Sequence, residues 1–361
     1  MNKSTVIFAA LALFAASCTK TEVVSCDAQG SQRGIGFSAY TAKPTKAAQT
    51  DVTTTNLTSF QVSAIGNNAV YFDNVTFTKN DAGVWASTPL YFWPSYELDF
   101  YAYNTPANRN FTPTINTTSQ TLSFKPSTIL AEQEDLVAAC AEDQTDPRGS
   151  TSLTFNHYLT QIVVKAKSSN TNYTVKVSGV KIANLKDSLT FTFSDGSTAV
   201  SVGAKNQDYS SEYETAKTLN GEAQEVMVTT GSGKWYLVPQ TVTAWDQAND
   251  QTNTNELTYL ALKVKITDPT NAAVYPTSGE SAWMAVPVPA SQVFEPGHKY
   301  TFVINFFQKN GAGFVDPEKP SDIDGDGDAD SDKGKPIIGG AITFNADVTP
   351  WPNETVITID L

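Results

Sequence analysis

An acidic segment near the end of the chain has the residue types and the spacing of a calcium-binding loop. A glycine, Gly327, stands sixth in a series with a carboxylate at every second position, namely Asp322, Asp324, Asp326, Asp328 and Asp330. This pattern matches the first nine places of an EF-hand loop, which wraps hard oxygen ligands around one Ca²⁺. The twelfth place holds Lys333 instead of the bidentate glutamate. The segment therefore predicts either a weak Ca²⁺ site, with no other cofactor, or a solvated acidic loop held open by its own charge.

Residues suited to catalysis are scarce. His157 lies in a stretch of alternating polarity that leads into the apolar run 162–164, so we expect it to be a structural histidine at the end of a strand. His298 lies in a turn-like sequence. The sequence contains no G-x-S-x-G, H-E-x-x-H or P-loop motif. With 37 acidic and 24 basic residues the net charge is −13, which argues against a nucleic-acid partner, because neutralising phosphates takes a clustered basic face. We expect a protein that is not an enzyme, with a secreted hydrolase as the weakest alternative.

Aromatic residues suggest a second kind of site. Trp93, Tyr96 and Trp245 have rings that can stack on sugars, and Trp93 lies in the aromatic sequence 91–94. Aromatic strands more often fill the core of a β-sandwich, so that role is favoured. A surface glycan-binding lipoprotein remains the alternative function.

The first residues read as a bacterial export signal. Lys3 precedes an apolar run, Val6–Ala16, which is too short to span a bilayer. Small residues lead to Cys18, as a lipoprotein signal peptidase requires, although ordinary cleavage beside an incidental cysteine is the alternative. We expect diacylation of Cys18 to hold the mature chain on a membrane. Cys26 and Cys140 are then left, either as a disulfide that the extracellular compartment permits or with Cys140 as a buried free thiol, which is favoured.

Short alternating apolar runs separated by turn-forming residues follow the leader. Leu98–Tyr103 and Tyr300–Phe307 are examples, and runs of this length and spacing are typical of β-sandwiches. The sequence thus predicts an all-β protein with four parts: a signal peptide over 1–17, a leader with a first strand over 18–50, an N-terminal β-sandwich domain over 51–150, and a C-terminal β-sandwich domain over 151–361 that includes an acidic loop, 315–336, and terminal strands.

Taken in order, these segments resemble the fimbrillin-like lipoproteins of the Bacteroidales. The matching pieces are the lipobox ending at Cys18, then Ile35–Ser38, Thr45–Ala47, Tyr91–Pro94 with Leu98–Tyr103, Asp135–Val137, Leu153–His157, Tyr236–Gln240, Pro296–Phe302 and Val348–Trp351. The resemblance implies two transthyretin-like β-sandwich domains in tandem. It also implies a subunit of a surface fimbria that travels to the outer membrane as a lipoprotein and supports adhesion. Its implied partners are fimbrial subunits of the same or a related type, the membrane through the lipid anchor, and a receptor on a host or bacterial surface.

The resemblance further implies assembly by strand exchange. An arginine-specific protease removes the leader with the first strand, and the vacated groove accepts a strand from the next subunit. The terminal strand alternates three apolar side chains, Ile357, Ile359 and Leu361, that are expected to form the exchanged face. The usual Thr-Arg-Ala cut site reads Thr45-Lys46-Ala47 here, and Arg33 precedes the first strand instead of following it. Arg33 and Lys46 are thus the two possible cut sites, and an arginine-specific protease would not open the groove unless it accepts lysine. This favours an uncut, membrane-held anchor or accessory subunit, or processing by a host protease of broader specificity.

Overall fold

The computed structural model describes residues 33–41, 51–53, 56–81, 83–106, 110–194, 197–203, 206–228, 233–308, 311–318, 332–339, 343–345, 349–350 and 355–360. Within these residues the chain is all-β, as the sequence predicts, with 26 strands and one short 3₁₀ helix. No helix in this described part is long and apolar enough to cross a bilayer.

The first half of the chain contains nine strands. They are β1 (Gly36–Thr41), β2 (Ser59–Gly66), β3 (Ala69–Lys79), β4 (Trp85–Ser87), β5 (Leu98–Tyr103), β6 (Phe111–Asn116), β7 (Ser119–Phe124), β8 (Val137–Gln144) and β9 (Thr151–His157). The 3₁₀ helix, Leu130–Glu132, lies between β7 and β8. Along β9 buried and exposed residues alternate without a break, because successive side chains of a strand point to opposite faces. At the β2–β3 turn both Asn67 and Asn68 have positive φ, as a two-residue type I′ hairpin requires.

The second half contains the remaining strands. They are β10 (Thr160–Ser168), β11 (Thr174–Lys186), β12 (Leu189–Ser194), β13 (Ser197–Val202), β14 (Asn206–Thr218), β15 (Gln224–Glu225), β16 (Trp235–Leu237), β17 (Gln240–Thr241), β18 (Tyr259–Thr267), β19 (Ala273–Tyr275), β20 (Ala282–Pro287), β21 (Val293–Phe294), β22 (His298–Phe306), β23 (Phe314–Val315), β24 (Thr343–Asn345), β25 (Thr349–Pro350) and β26 (Thr355–Asp360).

Seven strands of the first half close into a barrel in the order β1-β4-β3-β2-β5-β8-β9. β1 pairs in parallel with β9 and antiparallel with β4, so it closes the ring between them. The barrel encloses an aromatic core that includes Phe37, Phe60, Phe77 and Phe100. Closure leaves no free sheet edge in the barrel, which removes the sites at which edge strands pair with other chains.

The second half is a sandwich of two sheets around a shared core. One sheet has the order β15-β10-β22-β26-β24, with β16 on β10 and β25 on β22. The other has the order β14-β11-β18-β20-β23, with β19 on β18. Buried residues of β10, β22, β11 and β18 form one hydrophobic cluster between them. β17 and β21 form a separate two-stranded pair.

The barrel continues past residue 151, and one sheet joins strands of both halves. β9 begins at Thr151 and pairs with β1 and β8, so the change from barrel to sandwich falls between His157 and Thr160. A four-stranded sheet, β13-β12-β7-β6, then joins strands from both halves. Its hydrophobic face, with Leu122 and Phe191, shares a cluster with Tyr103 of the barrel and Tyr236 of the sandwich. These pairings connect residues far apart in sequence, which short-range patterns do not reveal.

The acidic segment 315–336 begins and ends in backbone pairing. Val315 N–H donates to the Lys335 carbonyl oxygen over 2.9 Å, and Gly334 N–H donates to the Val315 oxygen over 3.0 Å. The two ends of the segment are therefore paired with each other. Lys335 also forms an ion pair with Asp332. The five aspartates from Asp322 to Asp330 lie outside the described residues.

Candidate functional site

β1 supplies the centre of the barrel core. Ile35 just ahead of the strand and Phe37, Ala39 and Thr41 within it alternate inward, and all four are buried. The ring of Phe37 is fully buried and meets three other phenylalanines edge-on, with centroid distances of 4.8 Å to Phe77, 5.0 Å to Phe100 and 6.2 Å to Phe60. A single short strand thus completes this core, and the core would be open without it.

The backbone of β1 is held on both sides. Five residues pair with β9, from Phe37 opposite Thr151 to Thr41 opposite Phe155, and two pair with β4. Ahead of the strand, Ile35 N–H donates to the Tyr91 carbonyl oxygen over 2.7 Å. Removal of β1 would expose unpaired donors and acceptors along β4 and β9 beside an apolar groove. That combination is what an added strand needs, since the ladder gives affinity and the pockets give register.

The two candidate processing residues have different positions relative to β1. Arg33 precedes the strand, and its carbonyl oxygen accepts from Trp93 N–H over 3.0 Å while its exposed side chain lies 4.0 Å from Asp146. A cut after Arg33 would leave the whole of β1 in the barrel. Lys46 follows the strand and lies outside the described residues. Only a cut after Thr41 separates β1 from the rest of the chain.

A buried polar cluster holds the chain where it resumes after the leader. Asp51 Oδ1 accepts hydrogen bonds from Lys234 Nζ over 2.6 Å, from Tyr236 Oη over 2.5 Å, and from Gln161 Nε2. Burial lowers the pKa of Lys234, and the nearby Asp51 carboxylate raises it by a smaller amount. Because Lys234, Tyr236 and Gln161 all belong to the sandwich or lead into it, the cluster fixes Asp51 at the junction of the two halves.

A second carboxylate extends this cluster. Asp135 Oδ2 accepts from Val52 N–H over 3.1 Å and lies 2.7 Å from His157 Nδ1. His157 is buried at the last position of β9, in agreement with the structural role that the sequence predicts for it. Sequence reasoning missed Asp51 and Lys234, since a lone aspartate and a lone lysine 183 residues apart give no local signal.

The terminal strand lies inside its own sheet. β26 pairs in parallel with β22, with Ile357 opposite Phe302 and Ile359 opposite Ile304, and pairs antiparallel with β24. Leu361 lies outside the described residues. β25 pairs with the first two residues of β22, so the sequence 351–354 links two strands that both contact β22.

The structure also shows where the other residues that the sequence analysis singles out are located. Trp93 and Trp245 are buried in hydrophobic clusters, which leaves Tyr96 as the exposed ring of the three proposed for sugars. His298 is the first residue of β22 and not part of the turn that the sequence suggests, and its Nδ1 lies 2.9 Å from the carbonyl oxygen of Pro296 in the preceding turn. Cys140 is a half-buried free thiol whose pKa is raised by burial, whereas Cys18 and Cys26 precede the described residues. In the described part of the chain, no three acidic, histidine or cysteine side chains are grouped to hold a metal.

A family model described as fimbrillin-like matches residues 35–318, which is more than half of the chain and spans the barrel and most of the sandwich. The chain belongs to the fimbrillin-like family. Membership identifies it as a fimbrial structural protein and not an enzyme. None of the curated proteins matches the chain.

The solved structures that the chain matches include fimbrial proteins of two species. A fimbrial assembly protein from Parabacteroides distasonis is 12% identical with a TM-score of 0.39, and the match covers 76% of this chain and 92% of that one. The fimbrial anchor protein Mfa2 from Porphyromonas gingivalis is 12% identical with a TM-score of 0.31, over 76% of this chain and 91% of that one.

Proposed function

We propose that this chain is a structural or accessory subunit of a cell-surface fimbria and that it assembles by exchange of a β-strand. The observation that carries the proposal is the position of β1. This strand fills the barrel core with Phe37, and its one covalent link to the following elements is the sequence 42–50. Loss of β1 therefore opens a groove without breaking any other strand of the barrel.

The strand that fills the groove is the terminal one of another subunit. In the sequence of β26, Ile357 and Ile359 alternate with threonine and aspartate, and Leu361 continues the series. Each apolar side chain that is fully withdrawn from water contributes about 1.5–3 kcal/mol. Backbone ladder bonds to β4 and β9 offset part of the entropy lost when the donor strand becomes ordered. Donation requires β26 to leave β22, whose other edge remains paired with β10.

Whether the groove opens depends on where the chain is cut. An arginine-specific protease acting at Arg33 leaves β1 in place, so such a protease leaves this subunit able to donate a strand but unable to accept one. We expect a cut after Lys46 to make it an acceptor. Asp51 would then hold the new N-terminal segment at the junction through Lys234, so the remaining barrel stays attached to the sandwich.

N-terminal sequencing of the mature protein from cells tests the acceptor role. The expected first residue is Ala47. A mature chain that still begins at the lipidated Cys18 would instead make it an uncut subunit at the membrane end of the fimbria. As a matched pair, Lys46→Arg restores the usual cut sequence and should allow cleavage by an arginine-specific protease that releases β1, whereas Arg33→Gln should leave that cleavage unchanged.

Membrane attachment belongs to the same proposal. Lipidation of Cys18 would tether the precursor to the outer membrane through residues 19–32, which lead directly to β1. Cleavage after Lys46 then removes the tether and the strand together. Anchoring and groove closure are therefore two properties of one leader.

A further inference from the structure

Exposed apolar side chains are concentrated at one end of the barrel. Among the described residues seven large apolar side chains are exposed, and four of them, Val70, Leu90, Phe92 and Tyr96, belong to the β3 start and the loop before β5. We call these four residues the Leu90 patch. Three of the four lie close together on one loop, and clustered exposed apolar side chains of this kind mark interaction sites on soluble proteins.

The Leu90 patch is held in a defined shape. Tyr71 Oη donates to the Phe92 carbonyl oxygen over 2.6 Å, and the rings of Tyr71 and Tyr96 meet edge-on with centroids 6.4 Å apart. Gly66 allows this packing, because a Cβ there would lie 3.0 Å from Tyr96 Cε2 and 2.5 Å from the Glu97 carbonyl oxygen. A preformed apolar surface loses little conformational entropy on binding.

The patch borders the place where β1 begins. Gly34 forms a β-bridge with Phe92, and a Cβ on Gly34 would lie 3.8 Å from Leu90 Cδ2. Any chain that replaces β1 and runs in the same direction must therefore approach the groove across Leu90 and Phe92.

The donor strand comes on a short tether. If β25 stays paired with His298 and Lys299 at the start of β22, only four residues, 351–354, separate Pro350 from the first residue of β26. Five peptide steps span at most about 17 Å even when fully extended. The body of a donating copy must therefore lie directly against the end of the groove through which its strand enters.

We infer that the Leu90 patch is the docking surface for the body of a second copy of this chain, whose β26 occupies the β1 groove in the direction of β1. This inference rests on the proposed strand exchange and adds the surface that orients consecutive copies. The strand provides the continuous hydrogen-bonded contact, and the patch provides a second contact that fixes the angle between the two bodies.

The test compares two variants of the full chain that carries a specific protease site inserted after Lys46. One variant is Leu90→Glu with Phe92→Glu, and the matched control is Ile129→Glu, because Ile129 is 55% exposed and Leu90 54% exposed, at different places in the fold. After cleavage, oligomer formation is measured against protein concentration. Binding of a synthetic peptide with the sequence 355–361 is measured separately, and thermal unfolding confirms that each variant is folded. Should the double variant fail to fold, Leu90→Ser alone replaces it.

We expect the patch variant to bind the peptide as tightly as the parent does. Its half-maximal assembly should need a protein concentration at least about tenfold higher, because the loss of interface anchors typically weakens association by this factor or more. The Ile129→Glu control should match the parent in both measurements. Equal assembly of the patch variant and the control would overturn the inference while leaving strand exchange intact, and so would a parallel loss of peptide binding. Absence of peptide binding in the cleaved parent would overturn strand exchange itself, and this inference with it.

Discussion

The carboxylate of Asp51 and the ammonium of Lys234 meet at the junction of the barrel and the sandwich, where both side chains are less than one-tenth exposed. An exposed pair, Lys263 with Glu212, offers a comparison on the sandwich surface. Breaking a buried pair leaves a charge that water no longer stabilises, whereas exposed pairs contribute little. Both pairs join a lysine to a carboxylate, so the difference in burial should be the main cause of any difference in their effects.

We expect Lys234→Met to lower the free energy of unfolding by about 3 kcal/mol, because Asp51 would remain buried without its cation. Lys263→Met should change it by less than about 1 kcal/mol. Urea unfolding of the two variants and the parent measures both values. Equal effects of the two substitutions would contradict the role assigned to the junction pair.

Buried tyrosines should govern stability at high pH. Burial is the main cause that raises the pKa of Tyr103 to about 12 and that of Tyr213 to about 12, from an ordinary value of 10.0. A raised folded-state pKa means that the contribution to stability is complete below pH 10 and is lost as the pH rises from 10 towards 12. Ultraviolet titration of the native protein should show these phenols ionising well above pH 10. Tyr103→Phe should remove one phenol from that late phase, and an unchanged late phase would contradict the assignment.

At the scale of elements, β26 is the strand whose role decides between a donor and a self-contained domain. Deletion of 355–361 should leave a folded monomer with a cooperative unfolding transition, because β22 keeps its pairing with β10. Assembly should be lost. Circular dichroism and gel filtration measure the two outcomes, with Thr358→Ser as the conservative control. An unfolded product would show that β26 belongs permanently to its own core.

The acidic loop is a second element whose role can be tested, through its affinity for Ca²⁺. Because Lys333 occupies the twelfth place, we expect Ca²⁺ to bind with a Kd of about 10⁻⁴–10⁻³ M. At a free concentration ten times the Kd, such binding stabilises the fold by about 1.4 kcal/mol. Calorimetry should register this weak binding, and the double variant Asp324→Asn with Asp326→Asn should abolish it. A Kd below 1 µM, or binding that survives the double substitution, would contradict the prediction.

Several elements were predictable from local sequence. Leu98–Tyr103 was expected as a strand and is β5, and the alternation of Ile35 and Phe37 predicts the buried face of β1. The partners of these strands were not predictable. The parallel pairing of β1 with β9 joins residues more than 100 positions apart, and β7 with β12 joins the two predicted domains. A strand's sequence specifies its face and its register preference but not its neighbour, because a neighbour is selected by the packing of the whole molecule.

At the scale of the whole molecule, we propose that the leader gives the protein two states. With β1 in place the barrel is closed and the leader leads towards Cys18. With β1 removed, the barrel has a groove, the junction cluster around Asp51 keeps the two halves together, and the Leu90 patch stands beside the open end. The central claim is that a second copy's terminal strand occupies the position of β1.

Site-specific photo-crosslinking tests that claim most directly. A photoreactive amino acid replaces Thr154, which is exposed on β9 and pairs with Tyr40 of β1. In the uncut chain it should cross-link to β1 of the same molecule. After cleavage following Lys46 and assembly of isotopically labelled and unlabelled copies, mass spectrometry should find it linked to 355–361 of a different molecule. A cross-link that remains on β1, or that joins no second molecule, would show that no second copy's strand occupies this position.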